Sequence, residues 1–217
     1  MDQSVLELQS LTLNRGRRRI LSDTDLVIGG GERVVIRGDN GSGKTSFFRA
    51  ILGLLPVESG VISLFGHTVG SSAWKTHRSS AAWVPQEGVL HRFPIAAREA
   101  VEVGLAGRSL SRREIKQRVE DALESAGAAH LAGRCFHRLS GGERQRVSIA
   151  RCLAQGAELL LLDEPATALD AESRRRLVDL TESLSDQGKT LIVATHDDGL
   201  FSPGRWRECR LEGGRLC

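Results

Sequence analysis

Gly38-Asp39-Asn40-Gly41-Ser42-Gly43-Lys44-Thr45 joins an apolar run at residues 33–37 to a helical stretch from Lys44 to about residue 54. The pattern is G-x4-G-K-[ST], and its strand–loop–helix setting is the one in which that pattern holds phosphate. Gly38, Gly41 and Gly43 leave backbone N–H groups free to turn inward around phosphate oxygens, and the helix N-terminus adds positive potential. Asn40 and Ser42 complete the loop. Lys44 reaches the β- and γ-phosphates as a point charge, Thr45 offers its hydroxyl to Mg²⁺, and Ser46 bonds the α-phosphate. A glycine turn beside a surface lysine is the plainer alternative, but it leaves the flanking strand and helix unexplained.

A phosphate loop needs carboxylates for the metal and the water. Residues 159–164 read Leu-Leu-Leu-Leu-Asp-Glu, a buried strand ending in two acids. Asp163 is expected to hold Mg²⁺, directly or through its water, and Glu164 to polarise the attacking water as general base. No guanine-reading N-K-x-D is present, which favours ATP over GTP.

The rest of the chain alternates short β-type runs with helical stretches, the pattern of an α/β sheet. Strands are expected at residues 5–8, 25–28, 33–37, 61–65, 82–84 and 159–162, with 191–194 the last buried one. Residues 95–154 are mostly helical. Ser111 with Glu114 and Ser140 with Glu143 have capping-box spacing, and Gly127 and Gly188 mark helix ends. A helix at 170–187 carries Leu177, Leu180 and Leu184 on one face. The expectation is a single α/β domain over 1–217: a mostly parallel sheet with flanking helices and N-terminal antiparallel strands, its core at about 1–85 and 156–217 and a helical subdomain at about 86–155.

Composition sets bounds. The 217 residues are 40% hydrophobic and 26% charged, ordinary globular usage. No apolar run approaches the ~20 residues of a membrane helix, and the first residues lack the basic and apolar regions of a signal peptide, so a cytoplasmic chain is expected. The balance of 30 basic against 27 acidic residues is too mild to argue for nucleic acid. One basic cluster, Arg15 with Arg17, Arg18 and Arg19, reads first as a solvated turn and second as a contact for phosphate or lipid headgroups. The four cysteines have no metal-site spacing.

Leu139-Ser140-Gly141-Gly142-Glu143-Arg144-Gln145-Arg146 resembles the signature motif of the ATP-binding cassette (ABC) ATPases, and Ser140 lies 23 positions before Asp163. A serine hydroxyl, Gly141, Gly142 and a helix start make a second phosphate cradle. The resemblance implies a P-loop NTPase core, ATP and Mg²⁺ as ligands, and a head-to-tail dimer in which this cradle closes on a second subunit's nucleotide. It also implies roles for Gln86 (Mg²⁺ and the attacking water), Asp170 (communication across the dimer) and His196 (the γ-phosphate). It extends over about residues 5–200. In two respects the chain departs from the family. The adenine-stacking aromatic expected near Arg15 is absent, so that either Arg15 stacks its guanidinium on the base or base recognition is weak. Glu143 stands where many relatives carry Gln.

The resemblance further implies a transporter ATPase driving separate permease subunits from the cytoplasmic face of the membrane, with no nucleic-acid partner. The permease's cytosolic helices are expected to press near residues 86–104. There Phe93-Pro94-Ile95, followed by Glu99, Val101 and Gly104, is similar to cassettes of metal-ion or metal-complex uptake systems, although the same residues also suit plain packing. The alternative is a cytosolic ABC ATPase working on a soluble assembly scaffold.

Overall fold

A computed structural model of the chain describes residues 4–86, 94–201 and 204–216. Two sheets carry it. In the first, β1 (Ser4–Arg15) and β2 (Arg18–Gly29) form a long antiparallel hairpin. The second contains β3 (Arg33–Arg37). β4 (Ser59–Leu64) pairs with the other edge of β1, and β5 (His67–Thr68) lies outside it.

The hairpin strands are much longer than the expected 5–8 and 25–28 because bulges change the phase of the alternation. Leu6 and Leu8 are buried, and so are Leu11 and Leu13, one residue out of step. A register shift between Leu8 and Leu11 absorbs the extra residue. Ser10 sits there at φ +46°, its N–H donated to Asp25 Oδ1 at 2.8 Å. Asp23 does the same at φ +43°, donating to Thr12 Oγ1 at 3.2 Å.

The second sheet is completed by β6 (Ala81–Val84), β7 (Leu159–Asp163), β8 (Thr190–Thr195), β9 (Arg207–Glu212) and β10 (Arg215–Leu216), in the order β10-β9-β3-β8-β7-β6. All neighbours are parallel except β10 with β9. The expectation that residues 191–194 form the last buried strand is corrected by β9, which pairs along β3. Its sequence, RECRLE, buries only Cys209 and Leu211, so its charges hid it.

The helices are α1 (Lys44–Ile51), α2 (Ser72–His77), α3 (Ala97–Glu102), α4 (Arg112–Ser125), α5 (Gly141–Ala154) and α6 (Ala171–Asp186). α1 stops short of residue 54, where Gly53, at φ +69°, donates its N–H to Ala50 O. The short α2 was not legible. Strand alternation divides the core. Val34 and Ile36 of β3 and Leu159 and Leu161 of β7 share a cluster with Phe47, Phe48 and Ile51 of α1 and with the first sheet's Leu6 and Ile28. Val35, Leu160 and Leu162 point the other way, to Ile149 of α5 and Leu177 and Leu184 of α6. A third cluster is helical: Val101 of α3, Leu123 of α4, and Val147 and Ala150 of α5. α5 is thus buried on two sides. No helix among the described residues is long and apolar enough to cross a membrane.

Candidate nucleotide site

β3 ends at Arg37 and delivers the glycine loop to α1, with the ends of β7 and β8 beside it. Two of the loop's glycines are fixed by their neighbours. A Cβ on Gly43 (φ +117°) would lie 2.3 Å from Ile20 Cγ2 of β2, and one on Gly38 would lie 2.7 Å from Leu211 O of β9. The loop is therefore clasped between the hairpin and a strand the sequence did not reveal.

Residues far apart in sequence meet here. Thr45 Oγ1 donates to Asp163 Oδ2 at 2.7 Å. Lys44, buried, donates to Gly38 O at 2.6 Å and Asp39 O at 3.2 Å, and its Nζ lies 3.0 Å from Glu164 Oε1. Glu164 Oε2 lies 2.8 Å from His196 Nδ1. Glu164 itself stands at φ +47°, a strained conformation for a side-chain-bearing residue, held by its N–H donated to Ala194 O at 2.8 Å. Asp163 is almost wholly buried, and burial raises its pKa above the usual carboxylate value, a rise that the Thr45 hydrogen bond opposes. Its Oδ1, like Ser42 Oγ, is buried without a hydrogen-bond partner among the described residues. Oxygen donors of this kind, one free and one beside a hydroxyl, suit a hard divalent cation.

Asn40, Gly41, Gly43, Lys44, Thr45 and Ser46 line one cleft, together with Gln86, Asp163 and Glu164. Ser140, Gly141, Gly142 and Asp170 are not part of its lining. They sit at helix starts instead. Ser140 Oγ accepts from Glu143 N, and Glu143 Oε2 accepts from Ser140 N, the capping box expected from spacing. The Ser140 backbone N–H donated to it is the main cause that holds the Glu143 carboxyl below its usual pKa. Asp170 caps α6 by accepting from Ser173 N at 2.7 Å. The two helix starts touch: a Cβ on Gly142 would come within 2.6 Å of Ser173 Oγ. Behind them Arg174 bonds Leu169 O at 3.2 Å and Asp197 Oδ2 at 2.6 Å, tying the turn before α6 to the turn that holds His196.

A family model described as "ABC transporter" matches residues 21–167. The chain belongs to the ABC transporter family. The manganese transport system ATP-binding protein MntB of Bacillus subtilis is 36% identical over 88% of this chain and 77% of its own length. The zinc transport system ATP-binding protein TroB of Treponema pallidum is 36% identical over 88% of the chain and 72% of its length. Among solved structures, cbiO1 from Clostridium perfringens, part of the ABC transporter complex cbiONQ, matches with a TM-score of 0.88 at 29% identity, covering 100% of this chain and 88% of that one. A dimeric post-hydrolysis ATP-binding cassette bound to ADP and Pi matches at 0.82 and 28%, covering 97% and 96%. The protein is thus an ABC ATPase, the ATP-binding and hydrolysing subunit of a transporter.

Sequence reasoning missed one residue of this site, Ile20, and reached Arg18 only through the second reading of the basic cluster. Ile20 fills the space that Gly43 leaves, and Arg18, nearer the hairpin tip, lines the cleft with Arg15. The cargo-like stretch falls partly outside the described residues: nothing is described of 87–93, which include Phe93. Its remainder has packing roles. Glu99 Oε2 accepts from Ala96 N at 2.6 Å, Val101 is fully buried, and a Cβ on Gly104 would lie 2.3 Å from Arg151 O.

Proposed function

We propose that this ABC ATPase energises uptake of a transition-metal ion or metal complex, working at the cytoplasmic face of a membrane against separate permease chains. The observation that carries the ATPase site is the meeting of Thr45, Asp163, Glu164 and His196, which unites three segments on one side of the phosphate loop. Glu164 acts as general base on water, and Lys44 exchanges its contact with Glu164 for phosphate oxygens when nucleotide binds. His196 reports on the γ-phosphate, and Gln86, which lines both this cleft and the adjoining groove, contacts metal and water. Asp163, Thr45 and Gln86 hold Mg²⁺, whose contribution is to neutralise phosphate charge.

Ser140, Gly141 and Gly142, with Asp170, serve a second copy's nucleotide in a head-to-tail dimer. Their exclusion from the lining of this chain's own cleft supports that reading. So does the dimeric cassette among the structural relatives. The division into a core and a helical subdomain at about 86–155 follows the third apolar cluster. Between the two runs a groove of about 790 Å³, lined by Trp83, Gln86, Val103, Arg144, Gln145 and Leu169. Val103, an exposed apolar side chain on its wall, suits a docked permease helix. The metal cargo rests on the manganese and zinc systems named above.

The test joins one variant to one capture. Glu164→Gln is expected to lower ATP turnover about a hundredfold or more while keeping ATP affinity. Capture of that variant from detergent-solubilised membranes with ATP is expected to recover a multi-span permease. Turnover at the wild-type level overturns the role of Glu164. Recovery with non-membrane partners alone favours the scaffold ATPase.

A further inference from the structure

β3 feeds the phosphate loop and has a parallel neighbour on each side, β8 and β9, a setting in which strands are apolar throughout. Val34, Val35 and Ile36 keep to that pattern, and Arg37 breaks it. The Arg37 side chain is only 3% exposed. A buried charge is costly unless its donors are met, and even a well-met buried ion pair is often no more stabilising than an apolar side chain of similar size. Stability alone therefore does not account for this guanidinium.

Most of its partners lie on the segment that leaves β8 through His196. Arg37 Nη1 donates to Asp197 O at 2.5 Å and Nη2 to Phe201 O at 3.2 Å, and Asp198 Oδ1 stands 3.7 Å from Nη1. On the other side Nε lies 2.9 Å from Glu208 Oε1 of β9. Arg174 grips the same turn from α6, through Asp197 Oδ2 at 2.6 Å, and Asp197 donates its own N–H to Thr195 Oγ1 at 3.1 Å. The residue after Arg37 is Gly38, whose carbonyl accepts from Lys44. One planar group thus ties the start of the phosphate loop to the turn whose imidazole lies 2.8 Å from Glu164, and its bonds are charge-assisted, the strong kind.

We propose that Arg37 is a positioning residue for ATP hydrolysis: its buried guanidinium sets where His196 stands relative to the phosphate loop, and so keeps the imidazole in register with Glu164 and the γ-phosphate. Hydrolysis is sensitive to that register, because a reacting group held away from its productive geometry loses rate without losing the bound substrate. Lysine cannot take over the task, since a single ammonium has the charge but not the fork that spans two carbonyls and a carboxylate. The proposal rests on the reading of His196 given above and goes beyond it by naming what holds the ring.

Three measurements on the full chain test it: steady-state ATP turnover, equilibrium ATP binding, and NMR of the imidazole rings of its six histidines. The variants are Arg37→Met, which keeps an unbranched side chain without charge, Arg37→Lys and His196→Ala. Arg37→Met is expected to lower kcat about tenfold or more while ATP affinity stays within about threefold of wild type. The His196 ring signals, identified by their loss in His196→Ala, are expected to shift or broaden while those of the other histidines stay in place. Wild-type kcat, or unmoved His196 signals, overturns the proposal. So does a loss of ATP affinity in step with turnover, or a shift of all the histidine signals, since either shows a residue that merely holds the fold. Should Arg37→Met fail to fold, Arg37→Lys retains the buried charge and is read by the same measurements, with an expected fall in kcat of about threefold or more. His196→Ala separates the two readings: wild-type turnover there overturns the role of His196 itself, whereas the ring signals in the Arg37 variants still decide whether Arg37 places it.

Discussion

Asp163 presents one carboxylate oxygen to Thr45 and leaves the other buried without a partner among the described residues. Burial raises its pKa, against the Thr45 bond, so at pH values between the ordinary carboxylate range and the raised value the folded chain holds a proton that the unfolded chain has lost. Stability therefore falls as pH rises through the raised value, and at neutral pH the bare charge is a net cost of the site. Asp163→Asn is expected to raise the melting temperature in metal-free buffer at pH 7 by about 2–4 °C, the shift that roughly 1 kcal/mol produces in a chain of this size. The gain should shrink as pH is lowered and Asp163 takes up its proton. Thermal melts across pH check this; a variant that melts lower than wild type at pH 7 refutes it. At this scale the motif residues were legible because phosphate chemistry dictates residue type at fixed local spacing. Ile20 was not, because its meaning comes from a strand laid over a loop some twenty residues away.

Elements were legible where one pattern ran unbroken. The capping boxes at Ser111 and Ser140 and the buried runs of β3, β7 and β8 are such cases. The β1–β2 hairpin was foreshortened because bulges at Ser10 and Asp23 shift its phase, and β9 was missed because a strand buried at only two of six positions reads as polar. Gly104 shows the opposite difficulty, a residue legible as a motif whose cause is packing. The turn after α3 approaches α5 so closely that a methyl group there would meet Arg151 O. Gly104→Ala forces those elements apart, an overpacking cost of about 1–3 kcal/mol. The expected result is a melting temperature several degrees lower, with hydrogen-exchange protection lost first in α3, α4 and α5 while β1 and β2 keep theirs. Uniform loss of protection throughout would instead show that the helical cluster does not open by itself.

At the scale of the molecule, the chain holds one glycine loop beside buried carboxylates and a second glycine-bearing helix start turned elsewhere. The loop at residues 38–45 has its metal and water carboxylates in place. The Ser140–Gly142 turn has a helix start and two glycines but lies outside that cleft, its serine exposed. In the proposed head-to-tail arrangement a second copy would complete both sites at once, so that ATP binding and dimerisation would be linked equilibria. The linkage can be cut on one side only. In a Glu164→Gln background, which slows escape by hydrolysis, Ser140→Arg places a long cation where the partner's nucleotide must enter. It is expected to abolish the ATP-dependent dimer seen by light scattering while leaving ATP binding to the phosphate loop intact. The substitution also removes the cap on α5, at a cost of about 1 kcal/mol, so Ser140→Ala is the control that loses the same cap without the bulk. The alanine variant should still dimerise with ATP. An arginine variant that dimerises equally well means that the signature turn does not face the partner's nucleotide, and the head-to-tail arrangement then falls.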